Sequence, residues 1–164
     1  MWIRRILLAV ALGLPGLSLA VSPSDRPPSE AEEPALTVTR GGESSSMSLA
    51  ELEALGHYDF RMQHPEGLEG EFTGVRIDDL LRAKGLEEAD RVRLVAWDDY
   101  TTYLTPDERA EKDYFVVTRF EGEPIPPDEL GPFLLVVPDD AEAVRQGNLP
   151  MTRWIWSLVE IRAR

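Results

Sequence analysis

The chain has 164 residues, no cysteine, and 30 acidic against 17 basic side chains, for a formal net charge of −13 at pH 7. That length suits one ordinary domain with a core of its own; a chain without thiols holds it without disulfides and offers no thiolate to a soft metal. The acid excess and the lack of a basic stripe argue against nucleic-acid or anionic-lipid binding, and its simplest consequence is solubility.

Arg4 and Arg5 lead an apolar run from Ile6 to Leu14, which Pro15 and Gly16 break before Ser18-Leu19-Ala20. A positive head, a short apolar stretch and a small-x-small exit predict a secretory signal peptide over 1–20. The run is shorter than the roughly 20 residues of a spanning helix. The expected product is periplasmic or secreted, with no stable membrane insertion after cleavage. Val21–Pro34 is rich in Pro, Ser and Glu and reads as a flexible linker, which leaves a domain over 35–164.

Leu36–Thr39 predicts a first strand ended by Gly41-Gly42. Ser48 and Glu51 form a capping-box pair at the head of a helix carrying Leu49, Leu52 and Leu55 on one face, with Gly56 as its stop. Tyr58, Phe60 and Met62 alternate with Asp59, Arg61 and Gln63, the pattern of a half-buried strand. After a Gly-rich stretch over 67–74, Ile77, Leu80, Leu81 and Lys84 fall at helical spacing before Gly85. Val92–Trp97 and Thr101–Leu104 predict a hairpin turning at Asp98-Asp99-Tyr100. Thr105-Pro106 opens a helical turn. Tyr114–Phe120, the wholly apolar Phe133–Val137, and Trp154–Ile161 predict further strands. In the last of these, Trp154, Trp156 and Leu158 are expected on one face and Ile155, Val159 and Ile161 on the other. Strands and helices that do not alternate regularly argue for an α+β domain.

One ordered set of residues carries a family resemblance. It runs Phe72-Thr73-Gly74-Val75, Asp78-Asp79-Leu80-Leu81, Asp98-Asp99-Tyr100, Glu121-Gly122-Glu123-Pro124-Ile125, Gly131-Pro132 before Val136-Val137-Pro138, and Arg153-Trp154-Ile155-Trp156-Ser157-Leu158. This resembles the oxidoreductase molybdopterin-binding domain of the sulfite-oxidase type, in particular its small exported bacterial members, from about Ala35 to Ile161. The resemblance implies an α+β fold with a mixed β-sheet and short helices. It also implies a cysteine thiolate on molybdenum in the enzymes, and this chain has no cysteine. The family's usual Asn-Gly turn appears here as Glu121-Gly122, and the arginine expected shortly after Gly-x-Pro is replaced by Phe133, Leu134 and Leu135. An anionic pterin phosphate needs basic side chains or exposed backbone donors. Kinship of fold alone does not carry the activity across.

Several clusters are candidates for ligand binding. Trp154 and Trp156 at i, i+2 suit one wall of a flat-ligand pocket with Arg153 at its rim, or else simple core packing. Asp98, Asp99 and Tyr100 lie in a strand-end loop suited to a polar ligand, or form an ordinary Asp-rich turn. Arg119 and Glu121 share a strand face, where they would pair with each other or with an anion, or stand as a solvated ion pair. His57 and Asp59 lack a third firm ligand for zinc, and ordinary surface roles for His57 and His64 are the simpler expectation. No nucleophile elbow surrounds Ser44-Ser45-Ser46.

The leading expectation is a non-catalytic module that binds a small polar molecule or a membrane-associated sensor protein, with no catalytic residue, no metal ligand and no cofactor. The alternative is a molybdopterin-dependent oxidoreductase or cofactor carrier whose metal takes an oxygen ligand from Asp98 or Asp99. A third reading makes the tryptophan strand entirely core.

Overall fold

The computed structural model describes residues 20–163; the expected signal segment, up to Leu19, lies outside the described residues. The chain runs β1 (Ser22–Pro23), β2 (Pro34–Arg40), β3 (Glu43–Ser48), α1 (Leu49–Glu53), β4 (Tyr58–Gln63), β5 (Glu69–Arg76), α2 (Ile77–Ala83), β6 (Val92–Ala96), β7 (Thr101–Leu104), α3 (Pro106–Glu111), β8 (Phe115–Phe120), β9 (Glu123–Pro124), β10 (Phe133–Val136), α4 (Ala141–Arg145) and β11 (Ile155–Ala163). It is an α+β fold with a mixed sheet and short helices, as expected.

Local chemistry accounts for many of these elements. The Ser48 side chain accepts from the Glu51 N–H while Glu51 reaches back to the Ser48 N–H, and Thr105 and Glu108 repeat the same box ahead of α3. Each box satisfies two of the donors a helix start leaves open. β10 is buried along its whole length because it pairs with β8 on one side and β11 on the other. The sheet order is β1-β4-β5-β8-β10-β11-β2-β3, with β6 and β7 added on β11 and β9 on β8. β11 pairs in parallel with β2, from Glu160 opposite Thr37 to Ala163 opposite Arg40, which ties the end of the domain to its beginning. Phe60, Phe72 and Phe115 pack at the centre of the core, with Phe60 and Phe72 stacked at 6.1 Å.

The structure adds four strands that the sequence signals did not announce, the two-residue β1 and β9 and the longer β3 and β5. β3 takes in the Ser44-Ser45-Ser46 run as the outermost strand on β2, where only Met47 and Ser48 are buried. An edge strand tolerates a polar run because one side of its ladder faces solvent. β5 occupies the glycine-rich stretch. A Cβ at Gly70 would lie 2.0 Å from Glu121 Oε1, so the glycine there admits a close neighbour.

The segment read as a linker lies against the domain. β1 pairs with β4, the Ser24 N–H donates to the His57 carbonyl at 3.0 Å, and the Ser29 N–H donates to Glu53 Oε2 at 2.7 Å. His57 Nε2 is 2.9 Å from the Arg26 carbonyl. Pro-, Ser- and Glu-rich composition measures how little apolar surface a segment can bury. It does not register backbone donors and acceptors that meet buried polar groups.

Candidate functional site

The β6–β7 hairpin turns at Trp97–Tyr100. Asp98 Oδ1 accepts from the Tyr100 N–H at 3.1 Å, and Asp99 adopts a left-handed conformation with φ of 66°. These are the features that make Asp a turn residue. The turn is fixed to β11 by a bond from the Trp97 N–H to the Ser157 carbonyl at 2.8 Å. Ser157 also has a positive φ, 52°, where the register of β11 slips against β10; the slip against β6 follows between Leu158 and Glu160.

This junction encloses a pocket of about 180 Å³ lined by Ala96, Asp98, Tyr100, Met151, Trp154 and Trp156. Trp154 is buried, Trp156 half-buried and Tyr100 51 % exposed at the mouth, beside Trp97 at 79 %. His64 lies against both indoles, 5.5 Å from Trp154 and edge-on to Trp156 at 6.1 Å. Its Nδ1 accepts from the Glu66 N–H at 3.1 Å, which places the ring proton on Nε2. That nitrogen is buried with no partner. Burial pushes the His64 pKa down to about 4 and keeps the ring neutral.

Four of the residues singled out from the sequence therefore converge: Trp154, Trp156, Tyr100 and Asp98. The expected single face for Trp154, Trp156 and Leu158 does not hold. Trp154 precedes β11, and the bulge at Ser157 leaves Ile155 and Leu158 both buried, as a residue inserted into one strand re-aims its neighbours. Arg153 is not among the lining residues; its Nε donates to Glu108 Oε1 at 2.5 Å. Asp99 does not line the pocket either.

Arg119 and Glu121 do not pair with each other. Arg119 Nε donates to Glu53 Oε1 at 2.8 Å, and the guanidinium also bonds Glu53 Oε2. Glu121 Oε1 accepts from the Glu71 N–H at 2.8 Å. The Glu53 side chain is wholly buried. Burial pushes its pKa up, but bonds from Arg119, Thr118 and the Ser29 N–H outweigh that and hold it below the usual range. Arg119 is a structural partner because a buried carboxylate demands one.

His64 and Met151 are the lining and supporting groups that sequence reasoning missed. The alternation of Tyr58, Phe60 and Met62, continued by one more step, reaches His64 and points it inward. His57 has both ring nitrogens against carbonyls, those of Glu53 and Arg26. Among the described residues no group of three His, Asp or Glu side chains is arranged to hold a metal.

A family model described as oxidoreductase molybdopterin binding domain matches residues 32–145. That range includes Asp98 and Tyr100 and stops short of Trp154 and Trp156. No curated protein matches the chain. With the match covering well over half of the sequence and the mixed α+β sheet in place, the chain belongs to the oxidoreductase molybdopterin-binding domain family.

Proposed function

We propose that this domain is an exported, non-catalytic binding module whose tryptophan pocket takes a small neutral or cationic group, either from a free molecule or from a side chain on a partner's loop. The signal-like segment over 1–20 supports an envelope location. The observation that carries the reading is the lining itself: three aromatic rings and one carboxylate, with no basic side chain. Aromatic faces and a carboxylate favour a cation and repel an anion. The exposed Tyr100 of the lining and the exposed Trp97 of the same turn suit contact with a partner.

The same lining does not fit molybdopterin. The pocket, at about 180 Å³, falls below the roughly 300–1,000 Å³ of ordinary cofactor sites. Asp98 would face an anionic phosphate with like charge, and the nearest arginine in sequence, Arg153, is engaged by Glu108. A chain without cysteine has no thiolate for molybdenum. Family membership is the observation that favours a second reading, a molybdopterin oxidoreductase or carrier with Asp98 as an oxygen ligand.

Choline and methylguanidinium are suitable probes, followed by tryptophan fluorescence. The expected result is a saturable change that Trp156→Ala and Asp98→Asn each reduce at least tenfold. Stoichiometric molybdenum with pterin fluorescence in protein purified from its native compartment would overturn the reading, as would the absence of any probe effect.

A further inference from the structure

A second cleft lies at the other end of the β6–β7 hairpin. It has a volume of about 700 Å³, and Arg91, Arg93, Arg162, Tyr103 and Thr39 line it together with Asp90. Along β6 and β11 the neighbours Val92, Leu94, Ile161 and Ala163 are buried while Arg93 and Arg162 are exposed, so these arginines stand on the solvent face of the sheet.

Their placement is costly. Arg93 and Arg162 are directly opposite each other on antiparallel strands, and like charges in that relation destabilise a sheet. The chain has 17 basic residues against 30 acidic ones, so an acidic partner for each was available. Among the described residues only Arg162 has one, Glu160. Arg91 and Arg93 make no ion pair there. Each is positioned by an uncharged neighbour instead. The Arg91 guanidinium lies 4.5 Å over the Tyr103 ring, and Arg93 donates to Thr101 Oγ1 at 3.3 Å. The cleft lining itself carries three guanidinium groups and one carboxylate, Asp90; Glu160 pairs with Arg162, and Asp99 lies within reach of its charge.

We propose that this cleft binds a compact oxyanion bearing at least two negative charges, a phosphate or phosphate ester. Planar guanidinium forks match paired oxygen atoms, and the ring beneath Arg91 presets one fork. A multivalent anion between Arg91, Arg93 and Arg162 relieves the repulsion across β6 and β11. The Asp98 pocket, lined by aromatic rings and acid, selects against the same ligand, so the two sites are chemically opposite.

Pyrophosphate titrated into the full-length chain at low salt, followed by amide NMR shifts, tests this directly. Expected are saturable shifts around 91–93, 103 and 162, an affinity that falls as salt rises, and at least a tenfold loss in the double variant Arg91→Gln/Arg93→Gln. Arg145→Gln, a surface arginine elsewhere, should bind as the unaltered chain does. Inorganic phosphate should bind more weakly than pyrophosphate. Shifts no larger than those from sodium chloride at matched ionic strength overturn the proposal, as does unchanged binding by the double variant. Trp156→Ala leaves this titration intact, which separates its outcome from that of the pocket.

Discussion

At His64 a neutral ring lies against two indoles with one nitrogen bonded and the other unpartnered. A histidine whose folded pKa lies at about 4 instead of 6.5 takes up fewer protons folded than unfolded between those values. The contribution of His64 to stability is therefore fully present above pH 6.5 and declines as pH falls toward 4, by about 3 kcal/mol. Protonation also adds a hydrogen at Nδ1, where the Glu66 N–H now donates. Urea unfolding at pH 7 and pH 5 should show a loss in the native chain that His64→Phe largely removes. Equal losses in both would place the titrating group elsewhere. Glu53, lowered from 4.5, acts in a different window: its contribution is present above pH 4.5 and is lost as pH falls through its lower folded value. Removing its counter-charge should be severe. Arg119→Met strands a buried carboxylate, with an expected cost of about 3–5 kcal/mol in unfolding free energy.

At the scale of elements, the junction of the β6–β7 turn with β11 divides two tryptophans that look equivalent in sequence. Trp154 is 3 % exposed and belongs to the core, whereas Trp156 is half-buried at the pocket. Trp154→Ala should cost about 3–5 kcal/mol. Trp156→Ala should cost well under half as much by the same chemical denaturation, yet remove probe binding. Equal costs would mean that the pocket wall is ordinary core. The hairpin itself was legible, because β-branched strands and an Asp-rich turn are local signals. The bulge was not: Ser157 takes φ of 52° where nothing in Trp-Ser-Leu demands it, and its N–H and carbonyl are held by Leu130 and Trp97. Those partners come from other parts of the chain. β5 was hidden for a related reason, since its glycines answer to neighbours that only the assembled sheet supplies.

For the molecule as a whole, the segment over 21–31 acts as a strap across the polar cluster of Glu53, His57 and Arg119. Its backbone supplies a donor to Glu53 and acceptors to His57 and Arg119. Deleting it should lower unfolding free energy by about 2–4 kcal/mol, since each buried hydrogen bond lost leaves a group unsatisfied. A dispensable tether would leave the thermal midpoint unchanged. The amino-acid sequence alone determined the α+β class, the capped helices, the hairpin, the family resemblance and the lack of a thiolate, because each rests on residues close together in the chain or on composition. Tertiary structure decided which side chains meet. Glu53 and Arg119 lie 66 residues apart, and Arg153 turns to Glu108 and away from the indoles. A charged group takes the best-placed counter-charge that folding brings within a few ångströms, and sequence spacing does not encode that distance.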